Sequence, residues 1–211
     1  GGQSLVATED LVSAALATDV ISVSGIADMT MTDLQKALTG KNISLSPSIN
    51  ANTESIEGGT TVKDLETLLQ LNYLYFTAPR RDENAYAMLM SVLESQLANR
   101  DKNPKVAFSD SVSMMANNYS PRTVIFNQEA LTHADLDKSL EIYKARFANP
   151  ADFIFTFVGN VNPDDEAFQQ LVCTWLGSLK TSKKKEAVRD NGDRVPDGIN
   201  KNYFSRRMET K

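Results

Sequence analysis

The chain has 211 residues, 41% of them hydrophobic and 23% charged, a composition typical of a globular protein with one large domain or two small ones. Its formal net charge of −5 argues against a nucleic-acid surface, which needs clustered Lys and Arg. Cys173 is the only cysteine, so an internal disulfide and a thiolate zinc cluster are excluded. No apolar run approaches the roughly 20 residues that a membrane-spanning helix needs, and we therefore expect no membrane span.

The first residues carry no visible signal peptide. The chain begins with Gly1-Gly2 and has no initiating methionine, so we expect any targeting segment to lie outside this sequence. The cellular compartment is therefore undetermined, and periplasmic and cytoplasmic locations both stay open.

The first 57 residues predict two helices and a β-hairpin. A helix is expected from 8–18, with apolar residues continuing until Gly25 ends it, and a short second helix is expected over 32–38. Residues 42–49 alternate apolar with polar side chains and predict a half-buried strand. Residues 53–57 are its predicted antiparallel partner.

The stretch 58–82 combines an apolar helix with a proline stop and predicts the core helix of the domain. Thr61 and Asp64 resemble a capping box at its start, and Ala78, which precedes Pro79, is pushed out of the α region and closes it. The apolar side chains recur at helical spacing, beginning with Val62. The polar residues form a narrow strip: Lys63, Glu66, Thr67 and Gln70. We therefore expect a helix that is packed on most sides.

Three further helices are predicted by N-terminal caps followed by apolar residues at helical spacing. They cover residues 82–97, 103–117 and 132–149. Asp82 caps the first of them, and Thr132 with Asp135 forms a capping box at the start of the third. Together with the core helix they predict an α-rich centre.

The stretch 152–158 (DFIFTFV) is the strongest strand signal in the chain. Alternation places three side chains on one face: Phe153, Phe155 and Phe157. The other face carries Ile154, Thr156 and Val158. Because both faces are largely apolar, we expect a central strand covered on both sides, and a strong loss of stability when Phe155 is shortened to Ala. A helix is predicted to follow, from Asn162-Pro163 to Gly177.

The sequence contains one histidine, His133, which lies in the first turn of a predicted helix. A zinc site with two histidines cannot be built from this chain alone, and we interpret His133 as a solvated surface residue. Cys173 lies on the apolar side of a predicted helix beside Trp175, where a thiol is usually buried and inert. Catalysis by a Ser-His-Asp or Cys-His group would require His133 to meet a serine or Cys173 in space.

Two pairs of acidic residues, Asp64 with Glu66 and Asp135 with Asp137, are of the kind that bind metal ions. Each pair lies near a predicted helix start, where the helix dipole favours acids. We prefer this structural interpretation, and an unrelated hydrolase that uses the acids is a third hypothesis beside the two given below.

Four segments resemble the pitrilysin/insulinase family of zinc metallopeptidases: LETLLQLNYLYFTAPRRDENAY, NPKVAFSD, IYKARFANPADFIFTFVGNV and QLVCTWLGSLK. The resemblance covers most of residues 5–180. It implies an α+β fold with an antiparallel sheet and helices packed on one face, the metallohydrolase-like fold of the insulinase and mitochondrial processing peptidase type. It also implies two or more such units around a closed chamber.

The resemblance is to the non-catalytic half of that family. Active units carry an H-x-x-E-H zinc motif on the first long helix, whereas the early helix here (EDLVSAALATDV) has no histidine. The downstream ligand Glu of the family falls on Gln70, a neutral amide. The resemblance therefore implies no catalytic, cofactor or metal residues in this chain, and zinc in the catalytic half of the full-length protein. The assisting Arg and Tyr of the family cannot be matched to Arg80, Arg206 or Tyr203.

The implied function is that of a catalytically silent domain that closes the proteolytic chamber and contacts peptide substrate. Its partner would be the catalytic half, in the same polypeptide or in a partner subunit. The alternative is a free-standing, non-enzymatic binding or assembly module on the same fold. We expect residues 1–180 to form the domain, and residues 181–211 to be a polar linker with the first strand of a following domain at 201–208.

Overall fold

Eight α-helices and one β-hairpin form the regular structure of the computed structural model, which describes residues 1–183 and 185–203. The elements in chain order are α1 (Leu11–Ser24), α2 (Met31–Ala37), β1 (Ile43–Ile49), β2 (Glu54–Thr60), α3 (Leu65–Thr77), α4 (Glu83–Leu97), α5 (Pro104–Ala116), α6 (Gln128–Leu131), α7 (Leu136–Arg146) and α8 (Glu166–Trp175). None of the described helices is long and apolar enough to cross a membrane.

Helix α1 lies at the centre of the molecule. Its Ala17 and Val20 side chains are completely buried. The helix starts three residues later than predicted, after a 3-10 turn over Thr8–Asp10, and it ends at Gly25 as predicted. Gly25 has φ 84°, and a Cβ there would lie 2.2 Å from the carbonyl oxygen of Met29, so only glycine fits this helix end.

The predicted hairpin is confirmed as an antiparallel pair of strands, β1 and β2. Its register places Leu45 opposite Gly58 and Pro47 opposite Ile56. Because side chains alternate along a strand, these residues share the face that joins the main apolar core, while Ser48 and Ser55 hydrogen-bond on the other face (2.9 Å). The hairpin is the only sheet within the residues that the structure describes, and β1 contacts both α1 and α3.

Helix α3 is the predicted core helix, and it ends before Pro79 as expected. Its start differs from the prediction, because residues 62–64 form a 3-10 turn before the helix begins at Leu65. Val62 was predicted in the apolar stripe, but it is 69% exposed because it lies on that turn. Asp64 accepts hydrogen bonds from the Thr61 hydroxyl and the Asn42 backbone N–H, both at 3.0 Å, so it joins the helix start to the hairpin.

Helices α4 and α7 close a second apolar cluster against α1 and α6. Leu16 and Val20 of α1 meet Leu131 and Leu136 there, with α4 packed over them. Asp82 caps α4 as predicted, accepting from the Ala85 N–H at 3.0 Å. The cap of α7 is Asp135 alone, which accepts from the Lys138 N–H at 2.7 Å, so the predicted start at Thr132 was three residues too early.

The expected central strand at 152–158 is not paired in the described part of the chain. One face of the segment is covered: Phe153 packs against Phe76 with ring centroids 5.0 Å apart, and Phe157 against Phe168 at 5.3 Å. On the other face Ile154 is 93% and Val158 95% exposed. The prediction that both faces are covered was therefore wrong for these residues. The segment also forms no strand in the described chain, because a strand forms only where a neighbouring backbone accepts its hydrogen bonds.

Part of the polar tail lies along the first residues of the chain. The Arg189 side chain donates to the carbonyl oxygen of Ser4 at 2.9 Å, and the Asn191 amide donates to the same oxygen at 2.9 Å. Tyr203 is 86% exposed. The strand expected at 201–208 lies mostly outside the described residues.

Candidate functional site

A groove of about 800 Å³ runs between β2 and the segment 151–161. Helix α3 forms its floor. The apolar floor residues are Leu65, Leu68, Leu69 and Phe76. The three phenylalanines of the segment, Phe153, Phe155 and Phe157, also line it. The groove therefore has an apolar floor between β2 and the segment 151–161, and polar and charged side chains complete its lining.

Within residues 1–183 and 185–203, both walls of the groove present backbone groups that pair with no further strand. Strand β2 pairs with β1 along one edge, and the groove lies along the other. Within the described residues, 154–158 take part in no backbone–backbone hydrogen bond. N–H and C=O groups of this kind are strong and need partners, so the groove is bordered by donors and acceptors that an extended chain could pair with.

One end of the groove is charged and already paired. Arg146 donates to the Glu186 carboxylate at 2.7 and 3.1 Å and to Glu54 at 3.5 Å. The Arg146 and Glu54 side chains are each only 10% exposed. The N-terminal ammonium of Gly1 lies 3.5 Å from Glu54. These groups satisfy one another, and the lining also contains Asp152 and Lys185.

Gln70 lies on the polar strip of α3, outside the lining of the groove. Its amide nitrogen donates to the Glu66 carboxylate of the same helix over 3.5 Å, which is the long limit of a hydrogen bond. Among residues 1–183 and 185–203, no three His, Cys, Asp or Glu side chains are grouped so that they could hold a metal ion. The described residues therefore do not fit a zinc ion.

Neither His133 nor Cys173 lines the groove. His133 is exposed on the turn before α7, as predicted. Cys173 is exposed, so the prediction of a buried thiol was wrong. The error arose because Cys173 was assigned to the apolar side of its helix, whereas that side is carried by Trp175, whose ring contacts Tyr73 at 5.9 Å.

The acids of the two predicted pairs have structural partners. The hydrogen bond from the Asn42 backbone lowers the pKa of Asp64. Arg81 donates to Asp137 from Nε at 2.6 Å and from a terminal nitrogen at 3.2 Å, and this hydrogen bonding lowers the pKa of Asp137. These neighbours favour the charged forms of Asp64 and Asp137, and Asp135 caps α7, which agrees with the interpretation of the pairs as helix-start acids.

The groove itself was not predicted from the sequence. Its walls come from a hairpin and a segment about a hundred residues apart, and spacing along the chain does not indicate that they meet. One feature of the sequence pointed to it. The stretch 152–158 is apolar on both faces, and the described chain covers only part of that apolar surface.

No protein-family model matches the sequence, and no curated protein matches it significantly. Solved structures do share its fold. The periplasmic protease PqqL from Escherichia coli matches with a TM-score of 0.75 and 21% identity, over 92% of this chain and 21% of PqqL. The ferredoxin protease FusC, solved in complex with Arabidopsis ferredoxin, matches with a TM-score of 0.60 and 19% identity, over 83% of this chain and 19% of FusC.

A third structure is a peptidase M16 inactive domain from Pseudomonas fluorescens, with a TM-score of 0.55 and 13% identity, over 67% of this chain and 35% of that one. The chain spans about a fifth of the length of PqqL and of FusC. At these identities the likeness concerns the fold. The chain has the fold of a domain of M16-type, pitrilysin/insulinase-like proteases, and its neighbours include an inactive domain, as the resemblance implied.

Proposed function

We propose that this chain is a catalytically silent domain of an insulinase-like zinc metallopeptidase, which closes the proteolytic chamber and contacts the peptide substrate. The observation that carries the proposal is the fold likeness to PqqL, which extends over 92% of this chain and 21% of that protease. A domain of this size would be one of several in such an enzyme. FusC, a relative in fold, was solved with a protein, ferredoxin, bound, which supports a protein or peptide substrate here.

The proposal that the domain is catalytically inactive rests on the few side chains it has that could bind zinc. The chain has one histidine and one cysteine, both exposed, and Gln70 where the resemblance would place the ligand Glu. A neutral amide is a poor zinc ligand, and protein zinc sites are built from several His, Cys or carboxylate groups. Zinc and the bond-breaking chemistry would then belong to the catalytic half.

The sheet is proposed to be larger in the full-length enzyme than in the described residues. In this proposal β1 and β2 belong to an antiparallel sheet that carries its helices on one face. The hairpin supports it, because β1 and β2 are apolar on the face toward the helices and serine-rich on the other.

The surface proposed to pack against the catalytic half is on α4 and α5. Met88 and Val92 of α4 are 72% and 53% exposed, and Phe108 and Val112 of α5 are 63% and 40% exposed. In each pair the residues are four apart and share one helix face. An exposed pair of large apolar side chains on one helix face is typical of a surface that another domain covers.

Zinc analysis and peptidase assays test the proposed division of roles. We expect the isolated chain to hold no stoichiometric zinc and to cleave no peptide, while the full-length polypeptide has peptidase activity that a chelator removes. About one zinc ion per isolated chain after dialysis, together with chelator-sensitive cleavage, would overturn the proposal.

A charge placed on the α4 surface tests the packing. In the full-length protein, Val92→Asp should lower kcat/KM by about tenfold, because a carboxylate buried at the interface is costly. The control is Ser91→Asp, which adds the same charge on a neighbouring exposed residue. Equal activities of the two variants would show that this surface does not pack against the catalytic half.

The alternative is a free-standing binding or assembly module on the same fold. The complete gene separates the two candidates. An H-x-x-E-H helix upstream in the same polypeptide favours the protease domain, and its absence there and in any co-purifying subunit favours the module.

A further inference from the structure

The sequence contains a single Asn-Gly dipeptide, Asn191-Gly192, in the part of the polar tail that lies along the first residues of the chain. Asparagine followed by glycine is the most reactive context for deamidation, because glycine has no side chain to hinder attack by its own backbone nitrogen. Asn191 is half-buried and Gly192 is exposed. A Cβ built on Gly192 would meet no atom within 4 Å, so there is room for a ring to close at this position.

The reaction requires only water. The Gly192 nitrogen attacks the side-chain carbonyl carbon of Asn191 and forms a succinimide ring. The bond from that carbon to Nδ2 breaks, and Nδ2 leaves as ammonia with the proton that the Gly192 nitrogen has lost. Water then opens the ring at either of its carbonyl groups and gives aspartate or isoaspartate. Both products carry a carboxylate where the amide stood.

The tail is docked where Arg189 and Asn191 bind Ser4, and docking holds the reacting amide. Asn191 Nδ2 donates to the Ser4 carbonyl oxygen at 2.9 Å and to the Arg189 carbonyl oxygen at 3.3 Å. The Gly192 nitrogen donates to the Asp190 carboxylate at 2.9 Å. Because Nδ2 is the atom that leaves, its hydrogen bonds oppose the reaction. Deamidation therefore proceeds mainly from molecules in which this part of the tail has opened.

The product cannot restore the docked contacts. The Asn191 amide binds two carbonyl oxygens because its NH2 group is a donor, whereas an ionised carboxylate only accepts hydrogen bonds. A carboxylate at this position would face the carbonyl oxygens of Ser4 and Arg189 with no hydrogen to share. It would also compete for the Arg189 guanidinium, which donates to the same Ser4 oxygen at 2.9 Å. Isoaspartate adds a methylene group to the backbone as well, which shifts the residues that follow.

We propose that Asn191-Gly192 is a deamidation site that releases the tail: docking on Ser4 slows the reaction, and the reaction abolishes docking. Opening and deamidation reinforce each other, since every open molecule that reacts is removed from the docked population. The loss of ammonia makes the step irreversible, so the fraction of molecules with a released tail increases with the age of the protein. The inference rests on contacts among described residues and does not depend on the protease function proposed above.

Incubation of the chain in mildly alkaline buffer, followed by mass spectrometry of the tail peptides, tests whether the site reacts. Replacement of the amide NH2 by OH gives each deamidated peptide a distinct mass. Asn200 is the internal reference, because it is exposed in the same tail and the side chain of Lys201 hinders attack by the backbone nitrogen. In a variant with the tail opened, Arg189→Ala, we expect Asn191 to deamidate about tenfold or more faster than Asn200.

The same measurement tests the control that docking exerts. Arg189→Ala removes a donor to Ser4 and leaves the dipeptide unchanged, so Asn191 should deamidate about fivefold or more faster in this variant than in the wild type. Lys183→Ala is the matched control. It removes one exposed positive charge elsewhere in the tail, and Asn191 should then react at the wild-type rate.

Two variants that add the same charge test whether the product releases the tail. Asn191→Asp is the aspartate product itself, and Asn200→Asp adds the charge at an exposed position whose amide binds carbonyl oxygens of 197–198. The Arg189 backbone N–H donates to the Ser4 hydroxyl at 3.1 Å, so its hydrogen exchange reports docking. We expect this exchange to be about fivefold or more faster in Asn191→Asp than in Asn200→Asp.

Three results would overturn the proposal. The first is deamidation of Asn191 that is no faster than that of Asn200 in both the wild type and Arg189→Ala, which would show that the dipeptide is not a reactive site. The second is an equal rate at Asn191 in the wild type and Arg189→Ala, which would show that docking does not control the reaction. The third is equally slow exchange of the Arg189 N–H in Asn191→Asp and Asn200→Asp, which would show that the product keeps the tail docked.

Discussion

The hydroxyl of Tyr143 on α7 donates a hydrogen bond to the backbone carbonyl oxygen of Tyr75 on α3, over 3.2 Å, and both side chains are buried. In a helix this carbonyl would accept from the N–H four residues later. That residue is Pro79, which has no N–H. Tyr143 therefore satisfies a carbonyl that the proline stop of the core helix leaves without a donor, and it joins α7 to α3.

Tyr143→Phe should destabilise the protein by about 1–3 kcal/mol, because it keeps the ring and leaves a buried carbonyl without a partner. Denaturant unfolding of the 211-residue chain measures the loss. The control is Tyr119→Phe, where the hydroxyl lies on the surface and the side chain is 57% exposed. Equal stabilities of the two variants would mean that water replaces the tyrosine hydroxyl.

Two phenylalanines allow a buried core position to be compared with a position that lines the groove. Phe147 is 2% exposed and stacks on Tyr143 with ring centroids 4.5 Å apart. Phe147→Ala should cost about 3–5 kcal/mol. Phe155 is 39% exposed, so Phe155→Ala should cost only about 1–2 kcal/mol, less than its sequence pattern predicted. Thermal or denaturant unfolding of both variants measures the difference. A larger loss at Phe155 would show that the segment is buried in solution.

Local sequence patterns predicted part of the fold. The helices and the hairpin were predicted because caps, proline stops and periodic apolar residues are local signals. That 153–158 has no strand partner in the described chain was not predictable, because a strand depends on a neighbour that local pattern does not supply. Val62 and Cys173 were misplaced for a related reason: a 3-10 turn or a small rotation of a helix changes which face a residue occupies.

The candidate site was less predictable than the fold. The absence of a histidine pair could be read directly from the composition, which excludes a two-histidine zinc site built from this chain alone. The groove could not, since β2 and 153–158 are distant in the sequence and come to line one groove only in the folded chain. Arg146, Glu54 and Glu186 come from three distant parts of the chain, and nothing in their spacing indicates that they meet.

The charge of Asp64 should make part of the free energy of unfolding depend on pH. Its pKa is lowered from the ordinary value of 3.8, mainly by the Asn42 N–H and also by the Thr61 hydroxyl. The unfolded chain takes up its proton near 3.8, so the stabilisation is present above that pH and is lost as the pH falls through the lower folded-state pKa.

Asp64→Asn should therefore be less stable than the wild type at neutral pH, and the difference between them should shrink as the pH falls below about 4. Urea unfolding at several pH values measures it. Asp28→Asn, at an exposed position, controls for the loss of one surface charge. A difference that stays constant down to about pH 2 would show that the charge of Asp64 contributes nothing.

The tail offers the last test. Arg189 and Asn191 both donate to the Ser4 carbonyl oxygen, and the Arg189 N–H donates to the Ser4 hydroxyl at 3.1 Å. Few apolar groups lie nearby, so these bonds, together with those from Arg146 to Glu186 and from Ser120 to Asp193, offset the entropy of ordering the segment. A protease that cuts before large apolar residues should attack the tail first, near Val188 and Val195, and Arg189→Ala should speed that cleavage about fivefold or more.

Arg194→Ala is the matched control for this cleavage. Its ion pair with Asp190 is local and exposed, and such a pair contributes little to stability. Neither substitution removes an apolar cleavage residue, so differences in rate report opening of the tail. Equal rates in the wild type and both variants would show that the contacts with Ser4 do not hold the tail. A core cleaved before the tail would show that residues 185–194 are an integral part of the domain.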